Sequence, residues 1–476
     1  MRTDIGSEGS ENTWVGLASC GSLVSGSLVS GSPSGPRLAR LPFACSLLTA
    51  AICLLVTTQA MAQDSAGSSS GSSSGDSSSA APANSAPSDN ATGTGEPSPY
   101  LLGIIQTFTA EDNLFRAPEG SGQVVSDRIS STGVRLGVNQ PIGRQFFSAD
   151  LAANVNRYRT NKQLNNTDYR AAVRLDWQTV ERVSGQISAS QTQSLYREQA
   201  GSVIDTERNQ LRTTALGFQA RVGLTTRLSF EVGAAGSRND YTGSDVDNQD
   251  LRQHAFNAGV RYGPSSAVNT RLNFRRTEGT YPRFGAGPDD FTRDDIDLIS
   301  TLQATGASHL DTRLSATRER HTVQSQRDVN GWTGALGWRW QPTGKLSTAL
   351  NLVRDSSVGQ TGFDSSLINA SSSDTSLAQT ASLAVTWAAT AKIRVIPKAS
   401  YVHRKLDSGF DSTAGASLEA TDHTTNVGLG LRWTPINALD LGCDVAREQR
   451  KVKGTPGLSL PYTASVVSCS AQFALR

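Results

Sequence analysis

Catalysis and metal binding need reactive side chains gathered at a workable spacing, and this sequence offers few such sets. Its five histidines are His254, His309, His321, His403 and His423. None sits in a metal-ligand spacing. His403 and His423 can face each other on neighbouring strands, but no third group orients them for metal or catalytic work. Gly67-Ser-Ser-Ser-Gly71 formally matches a nucleophile elbow, yet it lies in a Ser-rich stretch without the flanking strand and helix that the elbow requires. No glycine loop has a phosphate-binding pattern, and Gly285–Asp290 reads as turn chemistry. The expectation is a chain with no catalytic residue, no metal and no cofactor.

The charged residues are more informative. Arg170, Arg174 and Asp176 recur at even spacing. So do Asn269, Arg271, Asn273 and Arg275, then Asp295 and Asp297, Arg394 and Lys398, and Asp440, Asp444 and Glu448. Even spacing puts side chains on one face of a β-strand. Guanidinium groups on such a face can bind carboxylates or phosphates in a bidentate way. A face this polar has to meet water, so the opposite face decides what the strands are for.

The stretch Ala215–Ala235 defines the element that carries them. Leu216, Phe218, Ala220, Val222 and Leu224 alternate with Gly217, Gln219, Arg221 and Gly223. After Thr225–Arg227 the alternation resumes with Leu228, Phe230, Val232 and Ala234. This predicts a hairpin with one apolar and one polar face. Pairing Leu224 with Leu228 sets Val222 opposite Phe230, and Arg221 opposite Glu231 as a charge pair. The unit recurs to the end of the chain, predicting about eighteen strands between residues 100 and 475.

The connections alternate in length. Short turns such as Thr179–Arg182, Gln341–Lys345 and Thr434–Ala438 alternate with polar loops at 113–127, 197–210, 242–252, 279–292, 356–376 and 405–421. Trp177, Tyr262, Trp340, Trp387 and Trp433 end strands before short turns, whereas Tyr158, Tyr196, Tyr241 and Tyr401 lie near the long loops. Together these predict an all-β fold: a transmembrane antiparallel β-barrel of about 16–18 strands, with aromatic girdles at both ends. Val134, Leu136 and Val138, and Val427, Leu429 and Leu431, represent its lipid face. Arg170, Arg174, Asp176, Arg221, Glu231, Arg271, Arg275, Arg394 and Lys398 are predicted to line a wet lumen. The long loops 279–292 and 356–376 are the candidate gates.

Composition agrees. The 476 residues carry a net charge of +2 and are only 37% hydrophobic, thin for a soluble core but sufficient for a wall with one apolar face. The near-neutral balance gives no indication of a nucleic-acid partner. Residues 1–62 read as an N-terminal extension plus a signal peptide: an apolar run from Leu41 follows Arg37 and Arg40, and ends at Ala60-Met61-Ala62. Residues 63–98 are a linker of Ser, Gly, Ala and Pro that cannot bury a core. Residues 99–476 form the barrel, in the outer membrane of a Gram-negative cell and in contact with its lipid. Cys443 and Cys469 fall roughly opposite each other on successive strands. Export puts them in a compartment where they can form a disulfide, the alternative being two small residues facing lipid.

The opening strand runs into Thr109-Ala-Glu-Asp-Asn-Leu-Phe-Arg116, and Thr132-Gly-Val-Arg-Leu-Gly-Val138 follows. With these stretches and the hairpin array, residues 99–476 resemble the EpsL-type outer-membrane proteins of exosortase-linked (PEP-CTERM) exopolysaccharide loci. The resemblance implies a role in exopolysaccharide biosynthesis and export as a secretion channel. It also implies partners: an exopolysaccharide chain, with periplasmic and inner-membrane export proteins. The alternative is a general diffusion porin or a structural barrel.

Overall fold

The computed structural model describes residues 99–180, 182–196, 206–224, 227–243, 247–284, 287–323, 325–356, 375–408, 418–454 and 458–475. The expected signal peptide and linker lie outside the described residues, as does nearly all of the expected gate at 356–376.

Among the described residues there are eighteen strands. The first nine are β1 (Tyr100–Glu111), β2 (Asp127–Ile142), β3 (Gln145–Tyr158), β4 (Asn166–Gln178), β5 (Val183–Tyr196), β6 (Asn209–Gly223), β7 (Leu228–Tyr241), β8 (Leu251–Ser265) and β9 (Val268–Tyr281). The others are β10 (Asp289–Thr305), β11 (Ser308–His321), β12 (Val329–Thr343), β13 (Leu346–Asp355), β14 (Thr375–Ala388), β15 (Ile393–Ser408), β16 (Leu418–Ile436), β17 (Leu439–Gly454) and β18 (Tyr462–Leu475). Each pairs antiparallel with its sequence neighbours, and β1 also pairs with β18, from Leu102 opposite Leu475 to Glu111 opposite Val466. The sheet therefore closes and has no edge, as a β-structure in lipid must. No helix among the described residues is long and apolar enough to cross a membrane; the strands do the crossing.

The alternation of side chains separates two faces. One carries large apolar side chains that remain exposed, such as Phe108 (62%), Leu429 and Trp387. Exposed apolar surface this continuous belongs against lipid. Polar side chains on this face satisfy one another: Gln106 Nε2 donates to Ser130 Oγ at 3.0 Å and Thr132 Oγ1 donates to Gln106 Oε1 at 2.6 Å. Trp177 lies over Gly185, its cross-strand neighbour, where a Cβ would come within 2.4 Å of the indole.

The short connections gather at one end: β2 to β3 through residues 143–144, β8 to β9 through 266–267 and β16 to β17 through 437–438. The expected loop 279–292 is half strand, because β9 runs to Tyr281 and β10 begins at Asp289, leaving only 282–288 between them. The aromatic expectation holds at the short-turn end, where Tyr262, Trp340, Trp387 and Trp433 face outward and are exposed. It fails for three residues at the other end. Tyr158, Tyr196 and Tyr241 share parity with the lumenal residues of their strands and are 5–6% exposed. Beyond the hydrocarbon layer the packed interior of the mouth offers these rings more contact than the membrane boundary does. Tyr401 does face outward.

Candidate functional site

The interior of the barrel differs between its two ends. At the long-loop end it is packed. The segment Asp112–Ala117, between β1 and β2, turns into the lumen. Leu114 N–H donates to Val125 O at 2.7 Å. Leu114 and Phe115 pack with Ile129, Tyr158, Leu164 and Leu195. Asn113 Nδ2 donates to Ala117 O at 2.8 Å and to Thr463 O at 3.0 Å, fastening the segment to β18. Arg116 adopts φ +53°, uncommon for a side chain with a Cβ. Its guanidinium lies 3.6 Å from Glu111 and 3.4 Å from Glu448. Burial disfavours the charge on Arg116, yet these two carboxylates hold its pKa above the ordinary guanidinium value. The motif Asp-Asn-Leu-Phe-Arg is thus a wedge in the mouth. The sequence signal was two large apolar residues between polar ones in a connection otherwise rich in Ser, Gly and acids.

A buried ionic network stands on the wall of β9–β13. Arg293 is 0% exposed and contacts Asp295 at 2.8 Å, Asp355 at 2.9 Å and Glu319 at 3.2 Å. Arg275 bridges Asp295 at 3.0 Å and Asp297 at 3.2 Å. Thr317 and Ser315 hydroxyls donate to Asp295 and Asp297, each at 2.6 Å. His321 presents Nδ1 to Asp289 at 2.8 Å and Nε2 to Glu319 at 3.2 Å. A second network joins Arg404 to Asp422 at 2.7 Å, with Ser459 donating to the same carboxylate at 2.8 Å.

Toward the short-turn end the lumenal wall is wet. Arg170 and Arg174 are exposed, and Arg174 pairs with Asp176 at 2.9 Å. Arg394 lies 3.6 Å from Asp440, and Lys398 lies 3.5 Å from Asp444. The expected register of Arg221 opposite Glu231, and Val222 opposite Phe230, is present. The bonding is not the simple pair expected. Arg221 donates to Ser184 Oγ at 3.1 Å, while Glu231 accepts from Arg261 at 3.3 Å and Arg271 at 3.1 Å. Two guanidinium groups therefore share one carboxylate, with a third, Arg221, in the register position across from it. Arg261, on the next strand, was missed because it stands diagonally from Glu231 rather than directly opposite it.

Two of the expected wet lumenal residues are not wet. Glu231 is 2% exposed, enclosed by its arginines, and Arg275 is 5% exposed, enclosed by Asp295 and Asp297. Both side chains point inward, as their parity predicts, but neighbouring side chains cover them.

On the outer wall His403 and His423 are cross-strand partners, with their Nδ1 atoms 3.1 Å apart and the Tyr401 hydroxyl 2.7 Å from His423 Nδ1. No group of three or more potential metal ligands occurs among the described residues. Cys443 and Cys469 are opposite each other on β17 and β18, 4.1 Å apart at Cα, and are joined as a disulfide on the outer wall.

Comparison with solved structures returns outer-membrane proteins. OccK2 (OpdF) of Pseudomonas aeruginosa superposes over 79% of this chain and 98% of its own, with 11% identity and a TM-score of 0.46. OpdO of the same organism covers 79% of this chain and 96% of its own, at 14% identity and a TM-score of 0.42. The siderophore receptor PirA of Acinetobacter baumannii covers 79% and 80%, at 8% identity and a TM-score of 0.35. No family model and no curated protein matches the sequence. At these identities the likeness is one of fold. The class rests on the closed sheet, the apolar belt and the polar interior, which are those of a membrane-spanning β-barrel. This chain is an outer-membrane β-barrel of eighteen strands. In this barrel the candidate functional surface is the lumen: a wet, arginine-rich inner wall below a packed mouth.

Proposed function

We propose that this barrel is a diffusion channel for small hydrophilic solutes with a preference for anions. The observation that carries the reading is that two arginines, Arg261 and Arg271, share the single carboxylate of Glu231, with Arg221 on the neighbouring strand bonded, among the described residues, only to a serine, so the lumenal wall there keeps an excess of positive charge. Positive potential on a channel wall raises the local concentration of anions and excludes cations. About eighteen strands enclose a bore wide enough for water. The inward Asp112–Ala117 wedge and the Arg293 network narrow that bore at its outer end, which suits small solutes.

Export of an exopolysaccharide chain rests on the sequence resemblance alone. No contact in the lumen favours a polymer over a small solute, and the wedge argues against a wide bore. Planar-bilayer recording tests the proposal. Purified barrel should give single-channel steps, with a reversal potential in a salt gradient that favours the anion. Arg261→Gln with Arg271→Gln should move that potential toward the cation while steps persist. Absence of both steps and liposome swelling with small sugars would remove the channel reading.

A further inference from the structure

The outer wall beyond the apolar belt is not uniform around the barrel. On β7–β10 its charges neutralise each other. Arg238 pairs with Asp240 at 2.6 Å, Arg276 with Glu278 at 2.7 Å and Asp294 at 3.8 Å, and His254 with Glu278 at 3.4 Å. On β15–β17 the same level carries mainly basic groups. Lys405 on β15, and Arg447, Lys451 and Lys453 on β17, all have the outward parity and are exposed. No ion pair engages Arg447, Lys451 or Lys453 among the described residues. Glu419 on β16 and Asp407, its register partner on β15, stand one step further from the membrane.

Register arranges these groups in rows. Lys451 is opposite His423, which is opposite His403. One step further out, Lys453 is opposite Thr421, which is opposite Lys405. Residues across a strand pair stand about 5 Å apart, and the two rows are separated by about 7 Å along the strands. Arg447 sits at the inner margin of the patch, opposite Val427, where the apolar belt of Val427, Leu429, Leu431 and Val445 begins.

We propose that this patch binds the phosphorylated headgroup of a glycolipid in the outer leaflet. Its charge is complementary to phosphate, and Arg447, Lys451 and Lys453, unlike the arginines Arg238 and Arg276 of the β7–β10 sector, have no ion pair among the described residues. It is continuous with the lipid-facing belt, so one molecule can lay its acyl chains on Val427 and Val445 and its phosphates on the lysines. A soluble anion gains only the second contact. Each basic residue near an anionic lipid surface strengthens association by about fivefold, so removing three weakens it by about a hundredfold.

The test uses the full chain purified in a neutral detergent. Rough-type lipopolysaccharide should raise the temperature at which the folded gel band is lost. Its enzymatically dephosphorylated form should not. The triple variant Arg447→Gln, Lys451→Gln, Lys453→Gln should fold, give the same basal transition and lose most of the increment. Arg276→Gln, in the neutralised sector, should keep it. An equal increment in the triple variant, no increment with the phosphorylated lipid, or the same increment from inorganic phosphate would each overturn the proposal.

Discussion

Arg271 and Arg275 stand two positions apart on one face of β9, yet they have different jobs. Arg271 is partly exposed and shares Glu231 with Arg261. Arg275 is enclosed between Asp295 and Asp297. Removing one partner from a buried ion pair costs about 3–5 kcal/mol, because the carboxylates left behind have no water. Arg275→Gln should therefore lower the thermal transition of the folded barrel markedly. Arg271→Gln should leave the transition within a degree or two of wild type and alter ion selectivity instead. Equal transitions for the two variants would mean that the Asp295–Asp297 site is wetter than its geometry indicates.

The same scale decides the mouth. Phe115 fills the pocket formed by Ile129, Tyr158, Leu164 and Leu195, and Arg116 neutralises Glu111 and Glu448. Truncating a buried Phe to Ala costs about 3–5 kcal/mol. Phe115 is one of the two large apolar anchors of a long connection that the paired strands do not need, so the wedge should leave the lumen rather than the barrel unfold. Phe115→Ala should raise single-channel conductance with unchanged β content by circular dichroism. Unchanged conductance would show that the wedge does not limit the bore.

At the scale of elements, β17 and β18 are tied by Cys443 and Cys469 across a separation of 26 residues. A cross-link closing a loop of this length stabilises by about 3 kcal/mol in the chain-entropy account. Sixteen other strands hold this hairpin in place, so its reduction should lower the thermal transition without changing strand content. The outer face of β16 sets a sharper condition. Leu429 is directed at lipid, and Arg at the middle of such a face costs about 2–4 kcal/mol. Leu429→Arg should refold poorly into lipid vesicles, while Gly428, one residue away and lumenal, should tolerate Ser far better. Similar refolding yields for both variants would reverse the assignment of faces.

At the scale of the whole molecule, stability comes from closure and from lipid more than from a core. The buried apolar clusters are small and confined to the mouth. The wall itself is one residue thick. The protein should accordingly show mainly β structure by circular dichroism, and run as a compact band in dodecyl sulfate until heated. Substantial helix in the purified protein, or a single band regardless of heating, would contradict the closed eighteen-strand sheet.

The alternation of apolar and polar residues was enough to find the strands, because a strand in lipid has its two faces in different solvents and the sequence records that contrast position by position. It was also enough to sort Arg170, Arg174, Arg271, Arg394 and Lys398 onto the inner face, and to place Cys443 beside Cys469. Parity says which way a side chain points, but not what covers it there. That Glu231 is shared by Arg261 and Arg271, and that Arg275 is sealed between two aspartates, depend on how long side chains lean across neighbouring strands, which alternation alone does not record. The inward course of Asn113–Arg116 depends instead on β17 and β18, more than three hundred residues away in sequence. Only closing β1 on β18 brings that segment against Thr463 and Glu448, so only the tertiary structure decided where the bore narrows and which inward side chains are covered.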